Sequence, residues 1–169
     1  MKRLLFVSLF LLITFSIRAQ TNTQPFKGFT FSELVNILNN PPGKKQLDST
    51  LLEHGYSFEN KGSVFSPNVN GPVKNAHTFR YKRGTFRVII SYYNNAAYLI
   101  SYFASSSEEL NKLVDEIKEQ NVTLVKAPNS ETTLYGEYQQ YRLNVYNGDL
   151  KVLSVANIAI YSAKHLMPF

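Results

Sequence analysis

The 169-residue sequence contains no cysteine and no tryptophan. Without thiols the chain forms no disulfide, and it offers no cysteine nucleophile, no cysteine-ligated zinc site and no thiol redox centre. Its folded part must therefore depend on the burial of apolar side chains. Tyrosine and phenylalanine are abundant, with 11 and 12 residues, and both residue types favour pleated, half-buried strands.

The sequence patterns that usually mark catalysis or cofactor binding are also missing. There is no Gly-x-Ser-x-Gly turn for a serine nucleophile and no glycine-rich loop that could hold a phosphate. The three histidines, His54, His77 and His165, do not have the close spacing of a metal-binding pair. We therefore expect no catalytic residues, no metal and no cofactor.

Residues 1–19 have the three parts of a secretory signal peptide. Lys2 and Arg3 give the positive region, residues 4–17 form an apolar run, and Ala19 is the small residue before the cleavage site. The apolar run is shorter than the ~20 residues that span a bilayer, so we predict cleavage, with no transmembrane segment after it. No cysteine follows, which excludes a bacterial lipoprotein. We expect an exported protein, either periplasmic or extracellular.

The net charge of the chain is +6, and removal of residues 1–19 lowers it to +3. A bias of this size does not indicate binding to nucleic acid, which an exported protein rarely meets. It is compatible with an anionic surface in the cell envelope. We therefore expect no nucleic-acid partner, and an unknown protein or an anionic envelope or glycan partner instead.

The pattern of apolar residues predicts a single α+β domain over residues 29–169, preceded by a loose leader at 20–28. We expect an antiparallel sheet with helices packed on one face. Thr30 with Glu33, and Ser106 with Glu109, have the spacing of capping boxes that start helices. A short helix between them carries three leucines on its apolar side, namely Leu47, Leu51 and Leu52.

Strands are predicted between turn signals. Gly84 provides the turn of a predicted hairpin between strands 77–83 and 85–93. Asn147-Gly148 predicts a two-residue type I′ turn near the end of the chain. Residues 60–75 are rich in Asn, Gly, Pro and Ser, which predicts a long loop. The predicted strands before the third helix are 56–59, 77–83, 85–93 and 97–104.

The order of predicted elements indicates an internal repeat of a helix followed by four strands, with halves at 29–104 and 105–169. Residues 53–58 align with residues 119–124, because in both a helix ends on a residue that tolerates left-handed backbone and a strand begins. In this architecture the chain resembles β-lactamase-inhibitor-like proteins and the small outer-membrane assembly lipoproteins. No motif accompanies the resemblance and the lipoproteins' N-terminal cysteine is missing, so it implies no activity.

Residues 79–87, FRYKRGTFR, place four cations among aromatic residues in a predicted hairpin. If Phe79 and Tyr81 face the core, Arg80 and Lys82 share the outer face, and Arg87 points the same way on the next strand. Arginine can bind carboxylate or phosphate with two hydrogen bonds, and tyrosine offers a stacking face. A solvated face that keeps strands from pairing is the alternative. The candidate contact residues are Arg80, Tyr81, Lys82, Arg83 and Arg87.

These observations favour a non-catalytic binding or protein-interaction domain that uses the hairpin, joined by the loop at 60–75. One alternative is a small secreted hydrolase whose site is assembled from unlinked residues, with His77 and either Glu59 or Glu137 as candidates. Another is a structural component of the envelope that self-associates through an exposed strand.

Overall fold

The computed structural model describes residues 27–65 and 71–157. These residues form three helices and one eight-stranded antiparallel sheet, which confirms the predicted α+β fold. The predicted signal peptide, most of the predicted leader and His165 lie outside the described residues. No helix within 27–65 and 71–157 is long and apolar enough to cross a bilayer.

The elements follow one another along the chain with short connections. The helices are α1 (Phe31–Asn39), α2 (Lys44–Glu53) and α3 (Ser107–Glu119). The strands are β1 (Ser57–Phe65), β2 (Pro72–Arg83), β3 (Phe86–Tyr93), β4 (Ala96–Phe103), β5 (Val125–Lys126), β6 (Thr133–Tyr138), β7 (Tyr141–Asn147) and β8 (Lys151–Asn157).

The sheet consists of two consecutive meanders that meet at its centre. The strand order is β1-β2-β3-β4-β8-β7-β6-β5, and every neighbouring pair is antiparallel. The central pair runs from Leu99 opposite Ala156 to Phe103 opposite Val152. Each half therefore supplies four strands, as the sequence predicts. Two helices precede the first meander and one precedes the second, and the duplication stays a prediction.

The predicted helix starts are formed by side-chain caps. The Thr30 hydroxyl accepts a hydrogen bond from the Glu33 amide at 3.2 Å, and the Glu33 carboxylate accepts one from the Thr30 amide at 2.8 Å. At α3 the Ser106 hydroxyl accepts from the Glu109 amide at 3.1 Å. In a capping box the Glu109 carboxylate would accept a hydrogen bond from the Ser106 amide. Here it accepts one from the Ser105 amide instead, one residue earlier. Both caps satisfy amides that a helix cannot satisfy itself.

All three helices pack on one face of the sheet, where the main apolar core forms. A second, smaller cluster on the opposite face contains Tyr98 and Ala156, with Val73, Tyr93 and Leu99 packed against them. Each fully buried aliphatic side chain in the main core contributes about 1.5–3 kcal/mol. Because side chains alternate along a strand, the strand residues between the core positions lie on the opposite face, which none of the three helices covers. We call it the open face. The sheet's core positions include Tyr81, Val88, Ile90, Ile100, Tyr102, Leu143, Val145, Leu153 and Val155.

The predicted loop at 60–75 is wrong over most of its length. Strand β1 continues to Phe65 and β2 begins at Pro72, with pairs from Ser57–Lys82 to Phe65–Pro72. The polar composition misleads because β1 lies at the edge of the sheet and is largely exposed. An edge strand needs backbone pairing but not an alternating apolar pattern. Residues 66–70 lie outside the described residues.

Two shorter predictions are also wrong. Leu52 is 65% exposed, because α2 packs on the sheet through Leu47 and Leu51, one helical turn apart. The Asn147-Gly148 turn is absent, because Asn147 is itself the last paired residue of β7 and faces Lys151. Three residues, 148–150, connect the strands instead.

Candidate functional site

The hairpin of β2 and β3 brings three cations together on the open face. Lys82 lies directly opposite Arg87, and Arg80 is two residues before Lys82 on the same strand. Tyr81, between Arg80 and Lys82, points into the core, so its two neighbours point away from it. All three cationic residues are exposed. We call Arg80, Lys82 and Arg87 the basic triangle.

Strand geometry sets the size of the basic triangle. Residues directly opposite on antiparallel strands have Cβ atoms about 5 Å apart, and the next residue on the same face lies about 7 Å away. Arg87 Nε donates to Glu59 Oε2 at 3.3 Å. Within the described residues neither Arg80 nor Lys82 forms an ion pair with a carboxylate. The triangle therefore holds three positive charges against one negative charge.

The Arg80 side chain reaches the edge strand β1 beside Gly62. A Cβ atom at Gly62 would lie 3.8 Å from Arg80 Nη2 and only 2.8 Å from the Thr78 hydroxyl. The Arg80 guanidinium thus lies beside β1, the strand that also supplies Glu59. The three cations and Glu59 therefore come from three adjacent strands.

Tyr81, which the sequence places among the contact residues, is fully buried under α2. Its hydroxyl donates to Asp48 Oδ1 at 2.8 Å. Burial raises the pKa of the Tyr81 phenol, and the hydrogen bond to the Asp48 carboxylate raises it further. The phenol therefore stays protonated and anchors α2 to the sheet, and it is not part of the surface that the cations of the hairpin present on the open face.

Arg83 points to the helix side of the sheet and is separated from the basic triangle. Its Nη1 donates to the His54 carbonyl at 3.2 Å, and its Nη2 lies 4.0 Å from Glu109 Oε1. Its guanidinium carbon is 4.7 Å from the centre of the Tyr56 ring. Arg83 thus joins the ends of α2 and α3 to the sheet. Of the five predicted contact residues, three share the open face and two lie under the helices.

An aromatic and apolar row continues the open face beside the basic triangle. Phe103 of β4 pairs with Val152, which pairs with Tyr146, which pairs with Thr133. Tyr146 is 39% exposed, and Tyr135 on the same face is 40% exposed. Val88 of β3 pairs with Tyr102 of β4. Arg87, one residue before Val88, therefore lies beside Phe103, one residue after Tyr102. The strand order places these rings beside the cations, and the sequence does not reveal that order.

The structure does not bring together the carboxylates and histidine proposed for a hydrolase. His77 stacks on Tyr92 at 5.2 Å and contacts the edge of Phe79. Burial lowers the pKa of His77, and the charge of Lys61 lowers it further. His77 pairs with Ser63 of β1. Glu59 lies four residues from Ser63, about 13 Å along the strand, and is therefore distant from His77.

Glu137 is even more distant from His77, because five strand spacings separate β2 from β6, about 24 Å. Its carboxylate accepts a hydrogen bond from Arg142 at 3.5 Å. Among residues 27–65 and 71–157, no three His, Asp or Glu side chains form a group that could hold a metal ion.

Both edges of the sheet are poorly suited to pairing with a second chain. The β1 edge has two register shifts and carries Lys61, and bulges and lysines are devices that prevent edge pairing. The β5 edge is only two residues long. The surface available to a partner is therefore the open face rather than a strand edge.

Sequence reasoning missed Glu59 as the partner of Arg87, because the predicted loop hid the register of β1. The alternation of side chains along β4 could have predicted that Phe103 lies on the open face, since Ile100 and Tyr102 lie on the core face.

Comparison of the chain with protein families, curated proteins and solved structures finds no match. The interpretation of the open face therefore depends on its geometry and charge.

Proposed function

We propose that this chain is an exported, non-catalytic binding protein that takes an anionic partner on the open face of its sheet. The observation that carries the proposal is the basic triangle, three exposed cations on a face that none of the three helices covers, with one carboxylate among them. The leader sequence at residues 1–19 supports export. Anionic groups of a partner would bind between Arg80 and Arg87, with Lys82 as a third point charge.

The arrangement of the triangle is unfavourable for the protein by itself. Like charges directly opposite each other on neighbouring strands destabilise a sheet, and Lys82 faces Arg87 in this way. Glu59 neutralises only one of the two charges. An anion bound between the cations would remove this repulsion, so the strain is relieved in the complex. This supports a binding role over a purely solvated face.

The row of Phe103, Val152 and Tyr146 extends the contact surface away from the triangle. Partly exposed aromatic rings supply contact area at low cost in conformational entropy. A partner with an acidic group beside an apolar or sugar surface fits this combination better than a simple ion does. The specificity of the site would therefore come from the aromatic row and much of its affinity from the triangle.

The test is a measurement of binding to two immobilised anionic probes, a polyglutamate and a polyuronic acid. We expect replacement of Arg80, Lys82 and Arg87 by glutamine to weaken binding at least about tenfold, since hydrogen bonds to charged groups contribute about 1.5–3 kcal/mol each. We also expect binding by the unchanged protein to weaken as salt rises.

The control variant removes the same amount of charge elsewhere. It replaces three exposed lysines on the other side of the molecule or at its far edge, which make no ion pair within the described residues: Lys45, Lys112 and Lys126. Equal weakening by both variants would show that only net charge matters and would contradict a defined site. Unchanged binding by the triangle variant would contradict the proposal as well.

A further inference from the structure

A second cluster, on the helix side of the sheet, has the composition of a cation-binding site. Phe58, Phe79 and Tyr81 come from β1 and β2, and their rings meet edge to face, with Phe58 5.5 Å from Tyr81 and 6.2 Å from Phe79. Asp48 of α2 adds a carboxylate, which the Tyr81 hydroxyl holds in place. We call these four residues the aromatic cage.

The aromatic cage is filled by a lysine of the same chain. Lys44 Nζ lies 3.8 Å from the centre of the Phe58 ring and 5.5 Å from the centres of the Phe79 and Tyr81 rings. It also donates to both oxygens of Asp48. An ammonium group over several aromatic faces and next to a carboxylate is the arrangement by which proteins recognise cationic ligands.

The position of Lys44 does not suit the helix that it begins. Lys44 is the first residue of α2, where the macrodipole favours an acidic side chain, and α2 has no acidic residue in its first turn. Gly43 before it provides no side-chain cap. The cage itself is accessible, since Phe58 is 43% exposed. Lys44 also forms an i,i+4 ion pair with Asp48 of the same helix. Because the Lys44 side chain is 36% exposed, it can leave the cage without unpacking the core.

We propose that the aromatic cage is a site for a primary alkylammonium group, such as the lysine side chain of a partner, and that Lys44 holds it closed. The carboxylate favours a primary ammonium, because a quaternary one has no N–H to donate to Asp48. A tethered occupant acts at an effective concentration in the millimolar range or above. A free ligand therefore has to compete with Lys44, and removal of Lys44 should open the site. This inference is independent of the basic triangle.

The experiment titrates n-butylammonium, a mimic of the lysine side chain, into the protein and follows the amide and aromatic NMR signals of the cage residues. We expect Lys44→Ala to show saturable shifts with a midpoint at least tenfold lower than that of the unchanged protein. Lys45→Ala is the matched control, since it removes the neighbouring exposed lysine and leaves the cage filled. It should behave like the unchanged protein.

A double variant, Lys44→Ala with Phe58→Ala, tests whether the rings form the site, and we expect it to lose the saturable shifts. Lys44→Gln keeps a polar side chain at the helix start and should open the cage as Lys44→Ala does, so that a folding defect in one variant does not decide the result. The absence of saturable shifts in both folded single variants would overturn the inference. Equal midpoints in Lys44→Ala and the double variant would overturn it too.

Discussion

The carboxylate of Glu109 is the polar group whose removal should most clearly change the stability of the fold. Its side chain is 16% exposed. One oxygen accepts from the Tyr102 hydroxyl at 2.5 Å, and the other accepts from the Ser105 amide and hydroxyl at 2.5 and 2.7 Å. The Arg83 guanidinium lies 4.0 Å away. Glu109 thus joins α3 to the central strand β4.

We expect Glu109→Gln to lower the free energy of unfolding at pH 7 by about 2 kcal/mol. Hydrogen bonds to a charged acceptor contribute about 1.5–3 kcal/mol each, and those between neutral groups about 0.5–1.5 kcal/mol. The glutamine amide has one oxygen to accept with, so Tyr102 and Ser105 can no longer both donate to the side chain. Denaturant unfolding followed by circular dichroism measures the difference.

The difference should disappear in acid. Burial raises the pKa of Glu109, but the hydrogen bonds from Tyr102 and Ser105 and the charge of Arg83 outweigh burial, so the folded-state pKa is below the ordinary value. A carboxylate with a lowered pKa stabilises the fold above its unfolded pKa of about 4.3. That stabilisation is lost as the pH falls through the folded-state pKa.

Unfolding should therefore be measured at pH 7, 5 and 3. The unchanged protein and Glu109→Gln should differ by about 2 kcal/mol at the two higher values and converge towards pH 3. Glu119→Gln, on the exposed end of α3, is the control and should stay within about 0.5 kcal/mol of the unchanged protein. A gap for Glu109→Gln that does not change with pH, or no gap at pH 7, would refute this reasoning.

Two further predictions concern the N-terminal part of the chain. A Cβ atom at Gly28 would lie 2.3 Å from Glu109 Oε1, so the carboxylate would have to move away from Tyr102 and Ser105, whereas a Cβ atom at Gly43 would meet nothing within 4 Å. Gly28→Ala should therefore cost about 1–2 kcal/mol in denaturant unfolding, and Gly43→Ala less than about 0.5 kcal/mol. Equal costs would contradict the close approach of residue 28 to Glu109. Export should produce a mature protein that begins after Ala19, which N-terminal sequencing of the secreted product checks, and an intact leader would contradict the predicted destination.

The sequence predicts best the parts of this fold that short-range interactions determine. The cap of α1 depends on Thr30 and Glu33, three residues apart, and both hydrogen bonds are present. Gly55 and Asn121, which follow the helices in the aligned segments 53–58 and 119–124, both have the positive φ angles expected of left-handed backbone. In each case the residues that decide the structure are neighbours in the chain, so their types and spacing are sufficient.

The errors occur where distant pairing determines the structure. Strand β1 is polar and lies at an edge, so its register with β2 comes from backbone hydrogen bonds that composition does not reveal. The same limit applies to the candidate site. Alternation in β2 and β3 brings Arg80 to the same face as Arg87, but only the packed structure shows Arg83 turned towards Glu109 and Glu59 beside the triangle.

The most direct test of the proposed function is to map where an anionic probe contacts the protein. Amide NMR signals should be followed while a short uronic acid oligosaccharide or an oligoglutamate peptide is added. The account predicts saturable shifts confined to β2, β3 and the adjoining row at Phe103, Val152 and Tyr146, and absent in the variant with glutamine at Arg80, Lys82 and Arg87. Shifts centred on the helices, or unchanged in that variant, would contradict it.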